Sequence, residues 1–415
     1  MRKILASETL TVGVLVVLFA GDFFRNLLTV PGWVALALAC TAWAIATLVV
    51  NSVSWRTLPL TLLIAVGWIV VSPAWSPYAL TSAGLTLGFL VTVCIGFALG
   101  ATLPVDALYL RVSTALRVVL VSSLVFELAV ALSGSPLYPV GMDAPPGTSI
   151  ELAWCRGILF EQGGRIQGIV GNANLLGMLA LILLIITVVR ATQRRSRWVT
   201  SLDAALALAV LYKTASTTVF LAAIAVAGVW TLAWLSRRPP LVARIAGGSI
   251  IAASIAVVVY GVTHWTVFSA ALGKSPDMTN RFGIWQAVIE RVSVRPVTGF
   301  GFVGWWPTWE GWFGIHTIRN IRVQQAHNVW LDLLMQIGVV GTVLFTVALV
   351  TTGWLLWRQT TVAMSAATFM SLGIAAAMAV QTLTESRILT EWGIAFFVIL
   401  TIISRKPARE LESPS

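Results

Sequence analysis

Apolar runs of roughly 17–25 residues, each long enough to cross a bilayer as a helix, recur along most of the chain. They are cut by short polar stretches. Twelve spans are predicted, near 8–28, 31–50, 57–72, 79–100, 106–132, 172–190, 199–213, 216–235, 243–263, 327–354, 361–381 and 387–404. Barrel strands would show short alternating segments instead. The pattern therefore predicts an all-α polytopic membrane protein, one integral membrane domain over 1–415. Two loops are long. The first, 133–170, is rich in Gly, Pro and Ser. The second, 264–326, separates the ninth and tenth spans. Within it PDMTNRFGIWQAVIERVSVRP sets Phe282, Trp285, Val288, Ile289 and Val292 at helical spacing, which predicts an amphipathic helix on the membrane surface.

Composition agrees: 58% of the 415 residues are hydrophobic and 10% charged, against about a quarter charged in soluble proteins. Mean hydropathy is +0.89. The net charge of +11 is read through topology rather than as a nucleic-acid signal. The short loops RATQRRSRW, SRRPPLVAR and SRKPAR collect arginine, as cytoplasmic loops do. Both termini are expected inside, the N-terminal run is read as a retained first span, and both long loops are expected outside. Cys40, Cys94 and Cys155 have neither metal-ligand spacing nor a disulfide framework.

Polar candidates gather at the outer ends of the spans. In GGRIQGIVGNANLLG, Arg165 precedes Asn172 and Asn174 at the start of the sixth span. An asparagine cap, a helix N-terminus and an arginine suit a phosphate. A capped helix beside an interfacial arginine is the plainer account of the same residues. Arg281 and Trp285 stand one turn apart, and arginine makes bidentate phosphate contacts. GFGFVG lacks the lysine and the strand–loop–helix context of a phosphate loop. In WWPTWEGWFG, interfacial anchoring explains Trp305, Trp306, Trp309 and Trp312 better than sugar stacking does. His327 and Asn328 open the tenth span, with Asp332 a turn further in. An imidazole there can take a proton from a hydroxyl or support phosphate charge. Lys213, Arg319, Arg322, Glu385 and Arg387 complete the outer set, which includes His316 and Lys274 as neighbours.

GRIQGIVGNANLLG, NRFGIWQAVIERVSVRPVTGFGFVGW and AHNVWLDLLMQIGVVG together resemble the O-antigen ligase and polymerase superfamily of bacterial membrane glycosyltransferases, over roughly residues 160–350. The resemblance implies a glycan donor on a polyprenyl diphosphate, a hydroxyl acceptor and transfer at the outer face of the inner membrane. It implies no nucleotide sugar, no cofactor, no obligatory metal and no nucleic-acid partner. By motif, Arg165 and Arg281 would hold the diphosphate. His327 would activate the acceptor or support the departing phosphate. One departure stands out: where many members have a Ser-Arg pair opening the eighth span, Thr217 follows Ser216, and Lys213 is a candidate replacement. Ligase and polymerase share this donor chemistry. Outside the enzyme class, a twelve-helix secondary transporter would place its site at the midplane, and a non-catalytic assembly protein would need no site.

Overall fold

The computed structural model describes residues 7–411 except 141, 143, 146–147, 162, 194–196, 265–266, 268–280, 316 and 319–320; the side chains of 254–255, 257–258, 261–262, 317–318, 321–322 and 408–409 also lie outside the description. Among the described residues the chain is mainly helical, with two long, largely non-helical stretches over 134–172 and 295–328, the second carrying a small hairpin. In order the helices are α1 (Glu8–Phe19), α2 (Gly21–Val50), α3 (Leu60–Val71), α4 (Ala79–Thr102), α5 (Val105–Ser133), α6 (Ala173–Ala191), α7 (Arg197–Thr214), α8 (Thr217–Leu235) and α9 (Pro240–Thr263). After them come α10 (Arg281–Val294), α11 (Gly311–Ile315), β1 (Thr317–Ile318) paired antiparallel with β2 (Ile321–Arg322), α12 (Val329–Ala363), α13 (Ala366–Gln381), α14 (Glu391–Ile403) and α15 (Ala408–Leu411).

Each expected span overlaps a helix, but among the described residues length and apolarity qualify six to cross a membrane: α2, α4, α5, α6, α8 and α12. Shorter apolar helices, α1, α13 and α14 among them, complete the bundle. The difference has local causes. The first expected span breaks at Ala20 (φ −112°, ψ 37°), where Gly21 packs against the Glu391 carboxylate. The last expected span opens with a 3-10 turn at Arg387–Leu389 and becomes α-helical only at Glu391, so α14 is about 20 Å long at 1.5 Å per residue.

α6 is the innermost of the long helices, with 78% of its apolar window buried. It packs between α5, α7 and α13. Its uniform apolarity is what a helix surrounded by other helices requires. α14 is buried from Trp392 to Ile403 and packs on α4, where Gly96 lets the two backbones approach.

α12 breaks at Gly338 (φ 66°, ψ −174°). The run from Pro296 to Gly301 lies across the break. Phe300 and Gly301 donate to the carbonyls of Met335 and Gln336 at 2.9 and 2.8 Å, and Val339 donates to Pro296 at 2.8 Å. The Trp68 indole caps the Ile337 carbonyl at 3.0 Å. Glycines on both sides of this junction serve close backbone contact: a Cβ on Gly299 of GFGFVG would stand 2.6 Å from the Gln336 carbonyl oxygen, and one on Gly338 2.2 Å from the Val297 carbonyl oxygen. α10 packs on the first part of α12 and buries Ile284 and Val288. Trp285 and Val292 are half-buried, whereas Phe282 and Ile289 are exposed, so its inward stripe is rotated from the expected one.

Gly338→Ala combines an unfavourable φ, costing about 1–3 kcal/mol, with a backbone clash. It is expected to lower the melting temperature of detergent-solubilised protein sharply. Gly353→Ala, in the same helix with open space around it, is expected to leave it unchanged or slightly raised.

Candidate active site

Five helix ends meet at one end of the bundle: the starts of α6, α8, α10 and α12 and the end of α7. The turn between α13 and α14 joins them there. That turn carries Glu385, whose side chain is 1% exposed. A carboxylate this deep is tolerated when every oxygen is paired. Here Oε1 accepts from Asn174 Nδ2 at 2.8 Å and from Arg281 at 3.3 Å. Oε2 accepts from Gln325 Nε2 at 3.0 Å and lies 3.1 Å from His327 Nδ1. Burial alone would raise the Glu385 pKa. The charge and hydrogen bond of His327, the charge of Arg281 and the Asn174 bond overcome it and hold the carboxyl at about 2.

Asn174 is the second junction. Its amide oxygen accepts from Arg165 at 2.8 Å and from the Ser216 hydroxyl at 2.9 Å. Arg165 Nε also donates to the Thr214 carbonyl at 2.9 Å. Arg165, Asn174, Glu385, Arg281 and His327 therefore form one connected network. The pKa of Arg165 is lowered, first by burial, then by the Arg156 charge. Glu385 opposes this and Arg281 adds to it.

Local sequence explains why these side chains arrive together. Asn172 caps α6, accepting from the N–H groups of Asn174 and Leu175 at 2.8 and 3.2 Å. Asn328 caps α12 in the same way through Trp330 and Leu331, at 3.0 and 3.3 Å. Both asparagines thus act as caps that aim their helices. Glu127 of α5 is buried and accepts from the N–H groups of Gln167 and Gly168, each at 2.7 Å, pinning the loop that bears Arg165. Gly168 (φ 59°) is needed there, because a Cβ would stand 2.5 Å from that of Ser123.

His327 has φ 51°, left-handed for a non-glycine residue. It is braced from both sides. Asp332, fully buried, accepts from the Ala326 N–H at 3.0 Å and from the Ser386 hydroxyl. It thereby fixes the neighbours of both His327 and Glu385. Asp332 also accepts from the Trp306 indole at 2.7 Å. The tryptophan run accordingly divides: Trp306 is buried, whereas Trp305 and Trp309 are exposed. Trp285 donates its indole N–H to the Ala326 carbonyl at 2.9 Å, linking α10 to the His327 segment.

Two other candidates, Lys213 and Arg387, make polar contacts away from this carboxylate. Lys213 donates to the Leu159 carbonyl at 2.6 Å and tethers the loop before Arg165. Arg387 pairs with Glu391, which also pairs with Arg25; Arg25 in turn pairs with Asp22. Arg319, His316 and Lys274 lie outside the described residues, as does the side chain of Arg322. Gln325, Ser216, Glu127 and Arg156 were not singled out from sequence as members of the site. Among the described residues no three His, Cys, Asp or Glu side chains are grouped to hold a metal ion. A separate cavity, lined by Arg117, Arg190 and Asp203 among others, lies at the far end of α6. Arg117 makes a bidentate pair there with Asp203, at 2.6 and 2.8 Å.

Apolar membrane-length helices and a buried arginine–carboxylate–histidine network at one end of the bundle define an integral membrane protein with a polar site near one helix boundary. Residues 202–346 match the family model described as O-antigen ligase. The exopolysaccharide production protein ExoQ of Rhizobium meliloti (strain 1021) is 27% identical over 160 residues, which are 35% of this chain and 36% of that protein. The chain thus spans about a third of the length of that relative.

Glu385 holds its proton less tightly folded, at about 2, than its ordinary value of 4.5. Its contribution to stability is therefore complete above about pH 4.5 and is lost as pH falls towards 2. The melting-temperature difference between wild type and Glu385→Gln is expected to narrow as pH falls from about 4.5 towards 2. Thermal melts in lipid nanodiscs measure it; a difference unchanged over that range would contradict this assignment.

Proposed function

We propose that this protein is a glycosyltransferase that moves a glycan from a polyprenyl diphosphate carrier to an acceptor hydroxyl, as a ligase in envelope polysaccharide assembly. The reaction is assigned to the outer face of the bacterial cytoplasmic membrane, with both termini inside. The observation that carries this reading is the convergence of Arg165, Arg281 and His327 on Glu385 and Asn174, from separate helices. The arginine-rich loops lie at the other helix ends, which supports the orientation.

In the step, the acceptor oxygen bonds to the anomeric carbon of the donor glycan as the bond from that carbon to the phosphate oxygen breaks. The electron pair leaves with the polyprenyl diphosphate. With Nδ1–H donated to Glu385, His327 offers the lone pair of Nε2 and takes the hydroxyl proton. Glu385, ionised throughout the neutral range, stabilises the imidazolium that forms. Arg165 and Arg281 compensate the charge that develops on the leaving diphosphate. Donors preorganised in a partly dry site do this better than water does. Asn172, Asn328 and Trp285 set the backbone that carries these groups.

A second reading, polymerisation of lipid-linked repeat units by the same donor chemistry, draws support from the exopolysaccharide relative. The two differ in the attacking hydroxyl: another molecule for a ligase, a growing chain for a polymerase. Incubation of purified protein with a lipid-diphosphate oligosaccharide, followed by sizing of the products, separates them. One added glycan per acceptor indicates a ligase, and a ladder of repeats a polymerase. Vectorial uptake into sealed vesicles with no covalent product would favour a transporter.

Arg281→Ala and His327→Ala are each expected to cut transfer by about 100–1,000-fold while the protein still inserts in the membrane. Near-normal product from purified His327→Ala would remove it from the reaction.

A further inference from the structure

We infer that Arg156 is a third arginine of the donor-phosphate subsite, contacting the diphosphate beside Arg165; this rests on the donor chemistry proposed above. Its backbone is held on both sides. Cys155 exchanges hydrogen bonds with Leu137, at 2.8 and 3.0 Å, and Gly157 turns the chain with φ 70°. The guanidinium is thus presented from a fixed point on the loop that leads to Arg165.

Arg156 Nε is buried and has no hydrogen-bond partner among the described residues. A charged group with a shielded, unpaired N–H bears a desolvation cost that an acceptor would remove. Its charge acts on Arg165 strongly enough to lower that residue's pKa, second only to burial. Two arginines have therefore been brought into each other's field. Among the described residues neither is ion-paired: Arg165 bonds to a backbone carbonyl and a neutral amide.

The acceptor that satisfies both is an anion. The ionised groups acting on Arg165 are Arg156, Arg281 and Glu385. Together with Arg165 they comprise three cations and one anion; counting also Glu127, which accepts from the Gln167 and Gly168 N–H groups, a formal excess of positive charge remains. A diphosphate esterified at both ends carries two negative charges. Planar guanidinium forks suit its oxygens.

The test uses the full chain in nanodiscs, with Arg156→Gln, Arg156→Lys and Arg237→Gln. Arg237 lies at the far end of the bundle, donating to the Thr361 carbonyl. Binding of polyprenyl diphosphate, its competition by inorganic pyrophosphate, and the donor KM and kcat are read for each. Arg156→Gln is expected to weaken diphosphate binding and raise the donor KM at least about tenfold, with the acceptor KM and the melting temperature unchanged. Arg156→Lys is expected to recover part of the loss, and Arg237→Gln to behave as wild type. Should the glutamine variant fail to fold, the lysine variant decides, because it keeps the charge and loses the fork. Unchanged diphosphate binding and donor KM in the folded variants overturn the inference alone. A wild type that binds no polyprenyl diphosphate and transfers no glycan overturns both the inference and the donor chemistry.

Discussion

The buried carboxylate of Glu385 is the constraint on which the site depends. An ionised group removed from water must be met by donors, or the fold pays for an uncompensated charge. Here the donors come from α6, from α10 and from the segment before α12. Four strands of chain that are remote in sequence are thereby obliged to meet at one point. Asn174 and Glu385 are 211 residues apart. In the proposed reaction the same charge orients one ring nitrogen of His327 and leaves the other to face a substrate.

Precision at His327 depends on a second buried carboxylate. Asp332 holds Ala326 on one side and Ser386 on the other, so one acid fixes the residues adjacent to both partners of the Glu385–His327 contact. That arrangement offsets the left-handed backbone of His327, a conformation that persists only where its surroundings over-determine it. The break at Gly338 belongs to the same device. It lets residues 296–301 bond directly to the broken helix, and Gln336, just before the break, accepts from the N–H groups of Val303 and Gly304. Loop and helix become one support for the histidine.

Much of this was legible because caps and cations are local signals. Asn172 and Asn328 announced the starts of their helices, and Arg165, Arg281, His327 and Glu385 were all visible as polar residues at apolar boundaries. Their roles were less so. Glu385 and Arg387 read alike as charges in one turn, yet only Glu385 faces the histidine, while Arg387 turns to Glu391. A spacing of two residues cannot reveal that divergence. Arg156 was passed over because no pattern surrounds it; its interest lies in a missing partner. Hydropathy marked where helices lie but not how far each continues, since the interruptions at Ala20 and Gly338 answer to contacts made by distant residues. Nor does hydropathy separate a helix facing lipid from one enclosed by protein, so the central place of α6 was hidden.

Charge balance distinguishes what the two neighbouring clusters are for. Around Glu391, Arg25 and Arg387 face Glu391 and Asp22, two cations against two anions. That cluster is complete in itself and ties α2 to the start of α14. Around Arg165 the count is uneven: Arg156, Arg165 and Arg281 stand with two carboxylates, Glu385 and the Glu127 that holds the Gln167 and Gly168 N–H groups. Had stability alone shaped both, the second would have acquired another acid or shed an arginine, since like charges in a partly dry setting repel. An excess of fixed positive charge is costly in the empty protein and becomes favourable only when an anion arrives. In the proposed reaction that anion is the diphosphate of the donor, and His327 lies in the same network.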